Sequence, residues 1–296
     1  MITAMPARHP RLCVALLVVA ALAGSTLPRG TAAEPPLRLV VRGDDMGSSQ
    51  ASTEASIRCV KDGVMRDVEV MAVGPWFSQA ARLLRENPGL DFGLHLALTS
   101  EWDNVKWRPL TTAPSLVGRD GTFHPMIWPH PHYGMERALK EQAWKLDEIE
   151  RELRAQIELT RREVPHLSHF SDHMGFQALG PEVAALVKRL AAEYRLDVDP
   201  EALGVRWVGW DGKPVPPTEK VASFARVLEA LAPGTWLFVD HPALDTPEMR
   251  ATGHVGYETV AVDRQGVTDA WTSPALKEIV KRRGIELIGY RDLARK

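Results

Sequence analysis

Apolar and polar positions in this chain fall into segments of two kinds. Short aliphatic runs at residues 37–41, 68–73, 92–98, 167–172 and 236–239 read as buried strands. Weaker runs lie at 196–199 and 205–208, and a last one at 285–288. Between them, apolar residues recur three and four apart, which predicts helices over 49–61 (Ala51, Ala55 and Val60 inward), 76–86 (Phe77, Ala80, Ala81, Leu84), 134–163, 181–194, 218–231 and 273–283. Asp62-Gly63 ends the first helix and Asn87-Pro88-Gly89 breaks the second. Residues 99–131 lack periodicity and are rich in Trp, Pro and His. A loop of that length in a compact domain is usually functional, and its aromatics argue against disorder. Strands alternating with helices call for an α/β fold with a parallel sheet, either a β/α barrel or a doubly wound sheet. Neither an internal repeat nor a linker divides the chain after residue 33.

The chemistry-bearing residues cluster at strand ends. The first run stops at Asp44 and Asp45, the third carries His95, the fourth carries His169, Asp172 and His173, and a later one ends in Asp240-His241-Pro242. In parallel β/α folds the C-terminal ends of strands build the active site. Side chains alternate along a strand, so Asp44 and Asp45 are expected on different sides, one to hold a metal and one to act as a base. One carboxylate and two imidazoles suit a divalent ion with open positions for water, and Asp45, His95 and His173 are the candidate ligands. His169 and Asp172 are expected to orient a partner or touch substrate. Trp102, Trp107 and Trp128, on the long loop or its edges, either stack on sugar faces or pin the loop. Arg264 and Asp269, on a late loop, either contact substrate or pair with each other.

The front end changes the picture of where the chain works. Residues 1–33 read as a signal peptide: Arg8 and Arg11, an apolar stretch over 12–23, then Thr31-Ala32-Ala33 before a cut at Glu34. This predicts a periplasmic or secreted domain over 34–296 with no stable membrane span after cleavage. Cys13 leaves with the signal, so Cys59 has no disulfide partner. A formal net charge of -2 offers no basic field for nucleic acid.

Four motifs, in order, resemble one family. Gly43-Asp44-Asp45-Met46-Gly47 resembles the "N-A-D-D-F-G" that opens YdjC-like carbohydrate deacetylases, the group containing chitooligosaccharide deacetylase. The stretch from Gly93 to Thr99 resembles "G-x-H-x-x-L-T", that from Ser168 to His173 resembles "T-H-L-D-S-H", and Val239-Asp240-His241-Pro242 is similar to the late "C-H-P". The likeness runs from residue 37 to the C-terminus. It departs at Arg42 and Gly43, which stand where the family has Asn and Ala, and at Ser171, which stands where it has Asp. The resemblance implies an incomplete, seven-stranded β/α barrel related to polysaccharide deacetylases; the long Trp-rich insertion lacks a counterpart in the family's short members. It implies one divalent ion, Mg or Zn, on Asp45, His95 and His173, with Asp44 as base. His241 is then placed to protonate a leaving amine. The expected activity is removal of acetyl groups from N-acetylated sugars. Its rivals are the same centre acting on another amide or ester, and a sugar-binding protein without turnover.

Overall fold

The computed structural model describes residues 34–212 and 214–294. The expected signal segment lies outside the described residues. Seven parallel strands form one sheet: β1 (Leu37–Met46), β2 (Asp67–Val70), β3 (Asp91–Leu96), β4 (His169–Asp172), β5 (Arg206–Val208), β6 (Gly234–Asp240) and β7 (Glu286–Leu287). Their order is β4-β3-β2-β1-β6-β5, with β7 paired to β1. β1 is the axis. One edge pairs with β6 over its length, while the other takes β7 at Arg38 and Leu39 and β2 from Arg42 onward. β7 therefore wedges between β1 and β2 at the bottom of the sheet.

The helices are α1 (Gln50–Lys61), α2 (Phe77–Arg85), α3 (Leu146–Glu163), α4 (Pro181–Tyr194), α5 (Lys220–Ala230), α6 (Pro247–Arg250), α7 (Val260–Thr272), α8 (Pro274–Arg282) and α9 (Tyr290–Ala294). Ser49 caps α1 by accepting the Ser52 amide, while Ser52 Oγ accepts the Ser49 amide, a reciprocal capping box. Ala51, Ala55 and Val60 face the core as their spacing requires. None of the described helices is long and apolar enough to cross a membrane.

Four expectations shift. The helix expected over 134–163 starts only at Leu146; before it lie two short 3₁₀ turns, 135–137 and 139–141. The long connection after β3 thus reaches to residue 145. It is tied down from α3, where the buried Glu152 carboxylate accepts the Leu110 and Thr111 amides and Glu148 accepts that of Ser115. The run at 196–199 forms no strand, whereas 205–208 supplies β5. α7 takes up residues read as a late loop, and β1 runs on through both aspartates to Met46.

The sheet is curled. Strands are spaced roughly 4.8 Å apart, so in a flat sheet β4 would lie roughly 14 Å from β1. Yet His173, the residue after β4, and His241, the residue after β6, both come within 4 Å of Asp45 on β1. Only curvature of the sheet around that end brings side chains from its two flanks onto one carboxylate.

Candidate active site

A cavity of about 330 Å³ opens at the C-terminal ends of the strands, bounded by Asp44, Asp45, His95, Glu101, Asp172, His173, Met174, His241 and Arg264. The two aspartates do not diverge as strand alternation predicts. The β1–β2 register shifts between Gly43 and Met46, and Asp45 adopts φ +67°, a left-handed conformation uncommon outside Gly, Asn and Asp. That twist turns Asp45 onto the side Asp44 already faces. The bend is held by Ser48, whose amide and hydroxyl both donate to the Asp45 carbonyl. Gly74 packs directly on the Gly47 carbonyl, where a Cβ would collide with backbone.

Three donor atoms meet at one point. Asp45 Oδ1 lies 3.6 Å from His95 Nε2 and 3.4 Å from His173 Nδ1, separations that neighbouring ligands of a single ion adopt. Both imidazoles are held from behind. His95 Nδ1 is 2.7 Å from Ser171 Oγ, and His173 Nε2 is 2.9 Å from Glu101 Oε2. The ring nitrogen of a metal-binding His that faces away from the ion is ordinarily anchored in this way. Ser171, the departure from the family motif, thus backs His95. Neither oxygen of Asp45 receives an aligned hydrogen bond among the described residues, although both are buried. With Oδ2 facing the Arg264 guanidinium, the buried Oδ1 between two imidazoles is the environment a divalent cation completes.

The field of the site is mixed. Burial alone would raise Asp45, but His241, Arg264 and His173 outweigh it and hold the carboxyl well below its usual range. His95 is lowered, chiefly by burial, and so tends to the neutral form a ligand needs. On His173, burial opposes charge, yet Glu101 and Asp45 push it up to about 10, so a proton and a cation compete for Nδ1. His241 is likewise raised, against burial, by Asp45 and Asp240. Its Nε2 lies 3.9 Å from Asp45 Oδ2, and its Nδ1 lies 3.3 Å from Asp240 Oδ1. Asp44 stands on the same side, Oδ2 3.9 Å from His95 Nε2.

Other expected residues fall elsewhere. His169 is fully buried below the cavity, against Glu69 and Asp67, and does not line it. Four residues along a strand separate it from His173 by roughly 13 Å of rise. Asp172 does line the cavity and accepts the Gln177 amide. Arg264 does not pair with Asp269, which takes Gln265 instead; its Nη1 sits 2.9 Å from Asp45 Oδ2 and its guanidinium lies over the Trp102 ring. Trp102 and Trp107 are each 3% exposed. Trp102 packs on His254, and Trp107 donates to the Thr99 carbonyl, so they lie behind the lining residues Arg264 and His173 and present no open indole face. Trp128 is the exposed one, with Lys140 over its ring. Glu101, Ser171 and Asp240 carry none of the roles assigned from sequence. The one signal for Glu101 was its place as the first carboxylate after the His95 run.

A family profile described as YdjC-like protein matches residues 38–282, which includes every residue of this cavity. The chain belongs to the YdjC-like family. It is 32% identical over 237 residues to a carbohydrate deacetylase of Thermus thermophilus, covering 72% of this chain and 80% of that one. It is 29% identical over 270 residues to a chitooligosaccharide deacetylase of Proteus mirabilis, covering 86% and 98%. The fold matches a crystal structure from Enterococcus faecalis, described as a candidate cellobiose-phosphate cleavage protein, at TM-score 0.66 and 22% identity, over 87% of this chain and 99% of that one.

Proposed function

We propose that this YdjC-like protein is a divalent-metal-dependent deacetylase of N-acetylated sugars or oligosaccharides. The carrying observation is the Asp45 carboxylate between His95 Nε2 and His173 Nδ1, with Asp44 and His241 lining the same cavity. The names of the relatives from Thermus thermophilus and Proteus mirabilis support the substrate class.

Asp45, His95 and His173 would hold the ion, Mg or Zn. Bound there, it would supply Lewis-acid polarisation of the acetyl carbonyl and lower the pKa of water. Asp44 accepts the proton of the attacking water. His241, whose pKa Asp45 and Asp240 raise against burial, presents Nε2 as the proton donor for the departing nitrogen. Arg264 pairs with the outer oxygen of Asp45 and so leaves Oδ1 for the ion. Glu101 and Ser171 fix the ring planes. We include export to the periplasm or beyond in this reading, supported by the basic, apolar and small-residue order of residues 1–33.

Acetate release from a panel of N- and O-acetylated sugars, measured after chelation and again after adding back Mg or Zn, tests the reading. Activity that disappears with the ion and returns with it is expected. Undiminished turnover in the stripped protein refutes the metal dependence, whereas no stoichiometric ion and no acetate release together refute the enzyme reading and favour a sugar-binding role. Intact mass of the exported protein, expected to begin at Glu34, tests the localisation.

A further inference from the structure

Beneath Asp44 runs a chain of buried charges that the hydrolytic reading leaves unused. Arg42 lies two residues earlier on β1 and so points to the same face. Its Nε donates to Asp44 Oδ1 at 2.8 Å and its Nη2 to Oδ2 at 3.0 Å, a fork on both oxygens. Its third nitrogen is equally committed: Nη1 donates to the Tyr290 hydroxyl at 2.8 Å and lies 3.8 Å from Glu69 Oε1. Glu69 in turn faces His169 Nε2 at 2.8 Å, with Asp67 Oδ1 3.4 Å away on the same nitrogen. The His169 ring lies flat on Tyr290, centroids 3.7 Å apart. Burial is complete at Asp67, Glu69 and His169 and nearly so at Arg42.

Asp67, Asp91 and His169 also approach one another closely enough to hold an ion. Asp91, however, already accepts from Ser168 Oγ and from the amide and Nε of Arg291. Burial works against charge on His169, but Asp67 and Glu69 outweigh it and push it up to about 10, so an imidazolium fills the gap between the carboxylates. Arg42 joins this cluster to the cavity, facing Glu69 on one side and hydrogen-bonded to Asp44 on the other.

We propose that Arg42 is a positioning residue for Asp44, clamped by Tyr290 and Glu69 so that the carboxylate keeps one edge toward the attacking water. The inference rests on Asp44 being the base. A guanidinium that meets both oxygens fixes the carboxylate plane, which the point charge of a lysine does not do. Because Arg42 is itself held from two directions, the plane cannot follow thermal motion of the solvent-facing side. Loosening a reacting group by about 1 Å costs ~10²-fold in rate.

The experiment is a mutant cycle on the full, metal-loaded chain. Arg42→Met, Arg42→Lys and Tyr290→Phe are each made in the native background and in Asp44→Asn, and kcat, KM, bound metal and Tm are measured. In the native background Arg42→Met should lower kcat ~10²-fold with KM within about twofold and metal content unchanged. Arg42→Lys should recover little of that loss, and Tyr290→Phe should lose several-fold. In the Asp44→Asn background none of the three should lower the residual kcat further, because the group they orient is gone. Equal fold-losses in both backgrounds, or losses confined to KM or metal content, would overturn the proposal and leave Arg42 a structural cation. If Arg42→Met fails to fold, Arg42→Lys and Tyr290→Phe decide by the same comparison. Asp44→Asn at full activity would overturn the base assignment and this inference together. Asp44→Asn inactive, with the Arg42 variants at native kcat, would overturn this inference alone.

Discussion

Replacing His241 by alanine should separate an acetylated sugar amide from an activated aryl acetate as substrates. Its Nδ1 side is anchored: Asp240 Oδ1 accepts the His241 amide at 2.7 Å and faces Nδ1 at 3.3 Å, while Asp240 Oδ2 accepts from Trp210 Nε1. Burial would raise Asp240, but His241, Lys220 and Trp210 outweigh it and hold it at about 2, so it stays ionised across any working pH. That charge and Asp45 raise His241 above its ordinary value, and the proton faces the cavity at Nε2. An amide leaves as a strongly basic nitrogen and needs that proton. An activated aryl acetate leaves as a stable anion and does not. General acid catalysis contributes ~10²–10⁴-fold, so His241→Ala should lower sugar-amide kcat/KM by at least ~10², about 2.7 kcal/mol, and aryl acetate hydrolysis by only a few-fold. The sign in pH follows from the raised value. The acid is present at low pH and lost as pH rises through it, so the alkaline limb of the amide profile should vanish in the variant. Parallel assays of both substrates at several pH values, with Tm as control, are sufficient. Equal losses on both substrates at unchanged Tm would refute the acid role and leave His241 as support for the ion.

Asp44→Asn should keep the ion and lose ~10²–10⁴ in kcat, whereas Asp45→Asn, His95→Ala and His173→Ala should lose the ion, as metal analysis after gel filtration would show; the reverse pattern exchanges the two aspartates' roles. Burial pushes the Cys59 thiol up to about 12, against about 8.5 when unfolded. The stability this reflects is complete below the unfolded value and lost as pH rises from there toward the folded one. A thiol reagent at pH 8 should therefore label Cys59 only in denaturant, and rapid labelling of native protein would contradict its burial. Trp271 is fully buried, yet its Nε1–H finds no acceptor among the described residues. Trp271→Ala should cost about 3–5 kcal/mol in denaturant titration, but Trp271→Phe far less, because the orphan donor goes with the indole; equal costs would refute that account.

Much of the site could be read from the chain because its residues sit where an apolar run stops. Asp44, Asp45 and His241 are found that way, His95 as the lone polar residue inside such a run, and all four line the cavity. What could not be read depends on geometry that periodicity does not carry. The positive φ of Asp45 arises from the Gly47–Ser48 bend and its packing on Gly74, and it reverses the expected divergence of the aspartates. His169 and His173 share a strand face, but rise along the strand sends one to the floor and one to the mouth. α7 escaped notice because Val, Thr and Gly weaken its helical signal and because Arg264 and Thr268, both polar, are among its buried residues. Glu101 lies where the chain has no repeat at all, and only the return of β4 beside β3 brings His173 to it.

The wedge of β7 has a consequence for how the molecule is made. β1 is the first strand synthesised, and its lower half acquires its second neighbour only when residues 286–287 arrive, with Arg38 meeting Glu286 across 248 positions. Pairings so distant in sequence are slow to form, since the intervening chain must first be gathered in. Tyr290, which follows the wedge, then delivers the hydroxyl that Arg42 grips. A chain ending before residue 285 would carry every residue of the mouth yet lack the Tyr290 hydroxyl that backs Arg42. The first strand is thus completed by the last, and the far end of the chain supplies the hydroxyl that holds a residue at the start of the site.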